Sequence, residues 1–455
     1  ENMNWMNIVL VITFLELVVS HQFQESTINS ILQQGISNRV YPGVVAAAGT
    51  KSGKVLFSGA FGTHEYLDEH PDSPPVSLES IYDLASVTKV LATTSAVALL
   101  YQRGHLQLTD RIGDLLYDHR YGENGGKENV TVLNCLLHNA GYLPDPVPGY
   151  YDPSFACDQK FESEKFSCLN KIYNSLLFEN LQTIPGTNYN YSDLSFITLQ
   201  YVIGSIVFHK KLQSVKNIRS ECFQEVFQHK EITESKIHNY WDLNRGLVYT
   251  CYFEAFVRKE IFLEDYKWLT STAYLPTFAF NSDQNLTIPT MDTSYTKEIR
   301  KGNVSDSNCY AMGGICGHAG VFSVAGDIQK ILSRFLHLTA TTTPDNIAPY
   351  HNWINSTTMK LFTKEYDDTQ SSRAFGWTTN DPKVTDYGYS QSCGNLSVQT
   401  FMHIGYTGTC LCVDPVNEVW SLVLTNREYE FGSSDAVKGV YRDFNNAILQ
   451  LAQEI

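Results

Sequence analysis

The sequence predicts an α+β architecture, broadly of the α/β class, in which one antiparallel sheet flanked by helices takes strands from both ends of the chain and encloses a mostly helical inserted middle. Three observations predict it. Two strand-like runs, Gly43 to Ala48 and Val55 to Phe61, flank the turn Lys51, Ser52, Gly53, Lys54 near the start. Three more, Thr400 to Tyr406, Thr409 to Asp414 and Val419 to Leu424, lie close to the end. Between them the strongest periodic signal is helical, with Ser86 to Gln102 apolar on nearly every face and therefore expected to be deeply buried.

The elements follow in order. Residues 8 to 19 form an apolar run of signal-peptide size, closed by the small residue Ser20, and residues 1 to 20 are expected to be an export signal. The alternative is a buried first helix, because no Lys or Arg precedes the run and Glu16 sits inside it. The run is short for a membrane span, so no stable membrane insertion is expected. Ile28, Ile31, Leu32 and Ile36 recur at helical spacing ahead of the first strand pair. Gly104 follows the long helix at a capping position. Phe196 to Val202 is a second apolar helix, preceded by the turn signal Pro185 and Gly186. Residues 208 to 247 turn polar and charged without clean periodicity, a variable surface insertion in an otherwise single domain spanning 21 to 455. A helix from about Ala436 to Gln453 closes the chain.

Of the 455 residues 43% are hydrophobic and 18% charged, enough to build a large core and unlike a disordered chain. The net charge of -15 repels a phosphate backbone, which argues against a nucleic-acid partner. Ten cysteines fit an oxidising compartment, and Cys157 with Cys168, or Cys222 with Cys251, are close enough in sequence to bridge. Cys410 and Cys412 share one face of a strand, where a mutual bond would be strained, so each is expected to pair elsewhere or stay buried. No Cys-x-x-Cys occurs, and neither a metal nor an organic cofactor is expected. Asn-x-Ser/Thr triplets start at Asn129, Asn190, Asn285, Asn303, Asn355 and Asn395 and are candidate glycan sites for an extracellular chain. Oligomeric state is not legible from these features.

Chemistry concentrates at three places. Ser86 and Lys89 stand three residues apart at the head of the buried helix, which puts hydroxyl and amine on one face a turn apart. Serine becomes a nucleophile when a neighbour takes its proton, and a lysine desolvated in an apolar site suits that role. The competing reading of the pair alone is a capping serine and a snorkelling lysine. Tyr191 and Asp193 sit at a loop end before a helix, where the alternative is a packed ring with a tied hydroxyl. His403 and Gly405 lie on a strand just before Tyr406, Thr407 and Gly408, with glycines that let backbone approach a ligand.

Taken in order, these residues resemble the serine β-lactamase and D-alanyl-D-alanine carboxypeptidase family, most closely its class C-like and carboxypeptidase-esterase branch. That family's signature is Ser-x-x-Lys, then Tyr-x-Asn, then Lys/His-x-Gly. Ser86 with Lys89, Tyr191 with Asp193, and His403 with Gly405 match it in sequence order. Leu136, Leu137 and His138, with Cys135 where the first leucine is usual, are similar to its Leu-Leu-x-His stretch, and Gly317, His318, Ala319 and Gly320 to a glycine-rich segment near its site. The resemblance spans about residues 25 to 450 and implies a β-lactamase/transpeptidase-like fold.

It further implies a serine hydrolase in which Ser86 is acylated by an ester or small peptide amide while Lys89 and Tyr191 share the proton transfers. The backbone N–H groups of Ser86 and Tyr406 would form the oxyanion hole, with Asp193, His403 and Gly405 at the substrate side. Two positions depart from the pattern. Asp193 replaces asparagine, exchanging an amide donor for a carboxylate that only accepts and that favours a charged Lys89. His403 replaces lysine, which removes a fixed positive charge and speaks against strong β-lactam carboxylate recognition. The rival from another class is a catalytically weakened secreted binding or scaffolding protein that keeps the fold.

Overall fold

The computed structural model describes residues 24–122, 126–157, 165–227, 233–275, 286–292, 296–340, 353–367, 369–382, 391–429 and 432–454. The expected signal segment and Asn285 lie outside these residues. The strands are β1 (Gly43–Thr50), β2 (Val55–Gly62), β3 (Tyr82–Asp83), β4 (Ala273–Tyr274), β5 (Thr290–Met291), β6 (Ile299–Arg300), β7 (Val321–Ser323), β8 (Thr378–Thr379), β9 (Phe401–Gly405), β10 (Thr409–Asp414) and β11 (Val419–Thr425). The helices used below are α1 (24–37), α2 (Ser95–Gln102), α3 (Asp193–His209), α4 (Arg245–Phe256), α5 (Ala325–Thr339) and α6 (Ser434–Gln453).

The main sheet has six strands in the order β2-β1-β11-β10-β9-β8, and every neighbouring pair runs antiparallel. The first and last strand groups meet at β1 and β11, where Val44 faces Thr425 and Thr50 faces Val419. The sequence expectation of one sheet shared by the two ends is met, with strand limits shifted by a residue or two.

Both faces of this sheet are covered, which explains why β1 is an unbroken apolar run. Val45 and Ala47, with Leu411, Val413, Leu422 and Leu424, face the large helical body. Val44, Ala46 and Ala48, with Cys410, Cys412 and Val423, face α1 and α6. On α6 the residues Val437, Val440, Tyr441, Phe444, Ile448 and Leu451 recur every three or four positions and form the stripe that buries this second face. Ile28 and Leu32 of α1 join it, as their spacing predicts.

The helix expected over Ser86 to Gln102 is buried but not uniform. Residues Ala85–Val87 form a 3-10 turn, Lys89–Thr94 a π-helical stretch, and only Ser95–Gln102 an α-helix. Ala85 adopts φ +45, in the left-handed region, and its N–H is held by Asp83 Oδ1 at 2.9 Å. The Ser95 hydroxyl donates to the carbonyl of Val90 at 2.9 Å, within the widened stretch. Gly104 caps the end with φ +71, its N–H on the Tyr101 carbonyl.

Residues 208 to 247 fold mostly as helices, including Ser220–Phe227 and Glu234–Trp241. Cys222 bonds Cys251 of α4, and Ile237 is fully buried. Among the described residues four disulfides form: Cys157 with Cys168, Cys222 with Cys251, Cys309 with Cys316 and Cys393 with Cys412. Cys412 thus pairs away from its strand neighbour, and Cys410 and Cys135 are buried thiols. None of the described helices is long and apolar enough to cross a membrane.

Candidate active site

Ser86 sits at the exit of the strained turn after β3, at the mouth of a cavity of about 540 Å³. Lys89 is fully buried one turn on, and its Nζ donates to Ser86 Oγ at 2.9 Å and to the His318 carbonyl at 3.1 Å. The 3-10 turn running into a π-helical start keeps hydroxyl and amine on one face, as the three-residue spacing requires.

Tyr191 and Asp193 enter from the head of α3. Ser192 caps that helix, its hydroxyl accepting from the N–H of Ser195, and this fixes the residues on either side of it. Tyr191 interacts with both Lys89 and Ser86, and the Lys89 Nζ lies 5.0 Å from its ring centroid. Asp193 Oδ1 stands 2.6 Å from Lys89 Nζ. The ion pair anticipated from the Asp-for-Asn departure is therefore present. Burial favours a neutral amine, but the charge of Asp193 and the phenol of Tyr191 outweigh it and raise Lys89 above the ordinary lysine range. Burial also raises the Tyr191 phenol, against the pull of the Lys89 charge.

His403 and Gly405 arrive on β9. A methyl group added at Gly405 would stand 2.2 Å from Thr409 Oγ1 and 2.5 Å from the Leu84 carbonyl, so only glycine lets β9 lie against the Ser86 turn. Thr407 and Thr409 hydroxyls donate to the Asp83 and Leu84 carbonyls and clamp the same approach. His403 is 3% exposed, its Nδ1 is 2.8 Å from the Ile404 carbonyl, and burial followed by the Arg373 and Lys89 charges pushes it well below the usual histidine range. Tyr406 lies at the cavity mouth, 56% exposed, with the Arg427 guanidinium 4.6 Å from its ring centroid.

Six of the seven residues selected from sequence therefore line one cavity, and the seventh, Lys89, lies buried behind Ser86 and Asp193. The two framing histidines stand behind the cavity. His138 stacks on Tyr191 at 4.4 Å between ring centroids and accepts at Nδ1 from the Ser192 N–H at 3.0 Å. His318 Nε2 lies 3.0 Å from Asp306 Oδ1. Burial opposes ionisation of Asp306, but His318, the Cys309 N–H and the Lys89 charge outweigh it and hold the carboxyl below the usual carboxylate range. Asp193, Asp306 and His318 have ligand atoms within 4.8 Å of one another, yet Lys89 already occupies the Asp193 carboxylate.

Sequence reasoning missed Asp83, Asp145, Asp306, Arg373, Arg427 and Glu428. Arg373 is 1% exposed, lines the cavity, donates to the Tyr189 hydroxyl at 3.2 Å and lies 5.3 Å from the Tyr191 ring centroid. Asp83 Oδ2 accepts from the Ser305 N–H at 2.8 Å, tying the Ser86 turn to the Asp306 loop. The fully buried Glu428 braces that loop from behind, accepting from the Ser305 hydroxyl and from the Met291 N–H. None of these belongs to a local motif.

Glu428 carries a stability prediction. Burial, against its hydrogen bonds, pushes its carboxyl up to about 8, and burial pushes Asp83 up to about 6. Both exceed the ordinary unfolded values, so the folded state binds more protons and stability is lost as pH rises from about 4.5 to about 8. Glu428→Gln is expected to flatten this fall and to raise Tm at pH 8 by a few degrees relative to the native chain. Thermal melts at pH 5, 6.5 and 8 check it; an equal drop in Tm at all three would contradict it.

Comparisons with known proteins agree with the architecture. A family model described as Beta-lactamase matches residues 28–211 and 266–443. A protein of Escherichia coli (strain K12) named "Putative D-alanyl-D-alanine carboxypeptidase" is 24% identical over 391 residues, covering 83% of this chain and 77% of its own. Among solved structures, EstCE1, described as a hydrolase with promiscuous acyltransferase activity, superposes with a TM-score of 0.60 at 17% identity, covering 94% of this chain and 99% of its own. A class C β-lactamase from Rhodobacter sphaeroides does so with a TM-score of 0.58 at 16% identity, covering 93% and 99%. At these identities the structural likeness establishes the fold alone.

Proposed function

The chain belongs to the β-lactamase family, and on that premise we propose that it is a serine hydrolase that acts on esters or small peptide amides through an acyl-Ser86 intermediate. The observation that carries this reading is the 2.9 Å contact between Lys89 Nζ and Ser86 Oγ, buried beneath Tyr191 and open to the cavity. Ser86 attacks the carbonyl once Lys89 has lost a proton and can take the hydroxyl's. Tyr191 hands a proton to the leaving group and recovers one from Lys89. The reverse sequence lets water release the acyl group. Backbone N–H groups of Ser86 and Tyr406 stabilise the oxyanion, a role that fits the close lie of β9 on the nucleophile turn. Asp193 acts as the counter-ion of Lys89, and His403 and Gly405 shape the substrate side.

Four disulfides support an extracellular location, and residues 1 to 20 are assigned to export on their sequence. The family match leaves out residues 212–265, a gap that overlaps the surface insertion proposed for residues 208 to 247 of a single domain. A second reading, a weakened enzyme retained for binding, is favoured by one observation: the 2.6 Å pair with Asp193, which favours the charged form of Lys89.

The test is intact-mass analysis after treatment with a fluorophosphonate and with penicillin. The expected result is a single adduct that maps to Ser86 and is missing from Ser86→Ala. A native chain left unmodified by both probes would overturn the proposal.

A further inference from the structure

His138, His318 and His403 each keep one buried ring nitrogen without a hydrogen-bond partner among the described residues, and of the three His403 lines the cavity. Its Nδ1 lies 2.8 Å from the Ile404 carbonyl oxygen, and two lone pairs facing at that distance would repel, so Nδ1 carries the proton and donates. In a neutral ring Nε2 is then a bare acceptor. It is buried with no hydrogen-bond partner, on a residue 3% exposed that lines the cavity beside Ser86 and Tyr191. A second proton on the ring is opposed by burial and by the Arg373 and Lys89 charges. An acceptor in this position is costly until a donor meets it. Arg373, which lines the cavity with Arg427 and Lys438, bonds the Tyr189 hydroxyl through Nη2 and packs on the Tyr189 and Tyr191 rings.

We infer that His403 is a specificity-determining acceptor, whose Nε2 takes a hydrogen bond from a substrate N–H. The cavity thereby selects neutral acyl donors bearing a carboxamide or secondary amide over the same acyl donors bearing a carboxylate. The inference rests on the serine-hydrolase reading for its kinetic form, but the preference itself is one of binding. A lysine at this place would present donors and charge and would favour the carboxylate; a neutral histidine locked by its own strand presents a lone pair and rejects it.

The test uses two matched pairs of esters, carboxamide against carboxylate, with the group on the acyl chain in one pair and on the leaving alcohol in the other. In at least one pair the native chain is expected to favour the carboxamide in kcat/KM by at least about tenfold. In that pair His403→Lys is expected to reverse the ratio, and His403→Gln, which keeps a neutral acceptor, to retain the carboxamide preference. The same ratio read as dissociation constants in Ser86→Ala requires no turnover, so failure of acylation sinks the serine reading and leaves this one to be judged on binding. Carboxylate preferred in both pairs, ratios near one in both, or a His403→Lys ratio equal to the native one would overturn the inference. Should His403→Lys not fold, the native and His403→Gln ratios decide it.

Discussion

Ser86→Ala is expected to lose about 10⁶ in kcat on a small aryl ester while its melting temperature barely moves. The size follows from the division of labour proposed for the site. Removing the oxygen that forms the acyl bond leaves Lys89, Tyr191 and the oxyanion donors in place, but none of them has an attacking atom to serve. The small effect on folding follows from what the hydroxyl holds. Its contact at 2.9 Å is with Lys89, which keeps the Asp193 carboxylate at 2.6 Å and the His318 carbonyl at 3.1 Å without it. The strained turn is secured elsewhere, by Asp83 on the Ala85 N–H and by the Thr407 and Thr409 hydroxyls on the Asp83 and Leu84 carbonyls. Initial-rate kinetics beside a thermal melt check both halves. Residual kcat above about 1% of native would show that another group carries the reaction.

How much of this site the sequence made legible depended on whether its signal was local. Ser86 with Lys89, Tyr191 with Asp193 and His403 with Gly405 are short local patterns, and the structure brings them together, five lining one cavity and Lys89 buried against Ser86 and Asp193. The sheet was legible for the same reason, because β1, β10 and β11 are apolar on both faces and bounded by turns. The left-handed Ala85 and the π-helical start of the Ser86 helix were not, since an apolar run reads alike whether it winds as 3-10, α or π helix, and the Asp83 contact with the Ala85 N–H is seen only in the fold. Arg373 and Asp306 carry no motif: each reaches the site from a segment remote in sequence, and only the closed fold places one beside Tyr191 and the other beside His318. Glu428 was hidden for a further reason. A lone glutamate after an apolar strand looks like a surface residue, and its burial under the Ser305 loop is a product of packing.

The Asp193 position sets the second large expected effect, because it decides which protonation state of Lys89 the resting enzyme holds. Burial alone would depress the lysine, and the native carboxylate reverses that and raises it. Ser86 needs the neutral amine, so the native kcat/KM is expected to climb with pH through neutrality toward the alkaline side, where the neutral fraction grows. Asp193→Asn removes the opposing charge while preserving size, and the Lys89 pKa falls. The active form then appears at lower pH, and the rising limb of the pH–rate profile moves toward acid. If the shift is about two units, the rate at pH 7 increases on the order of a hundredfold. A pH profile of kcat/KM for both chains on one ester checks the direction. A fall in rate for Asp193→Asn at every pH would instead assign the carboxylate a working part in proton transfer, receiving the proton that Lys89 must shed before it can take the one on Ser86, and the ion pair would then be an adaptation of this site and not its restraint.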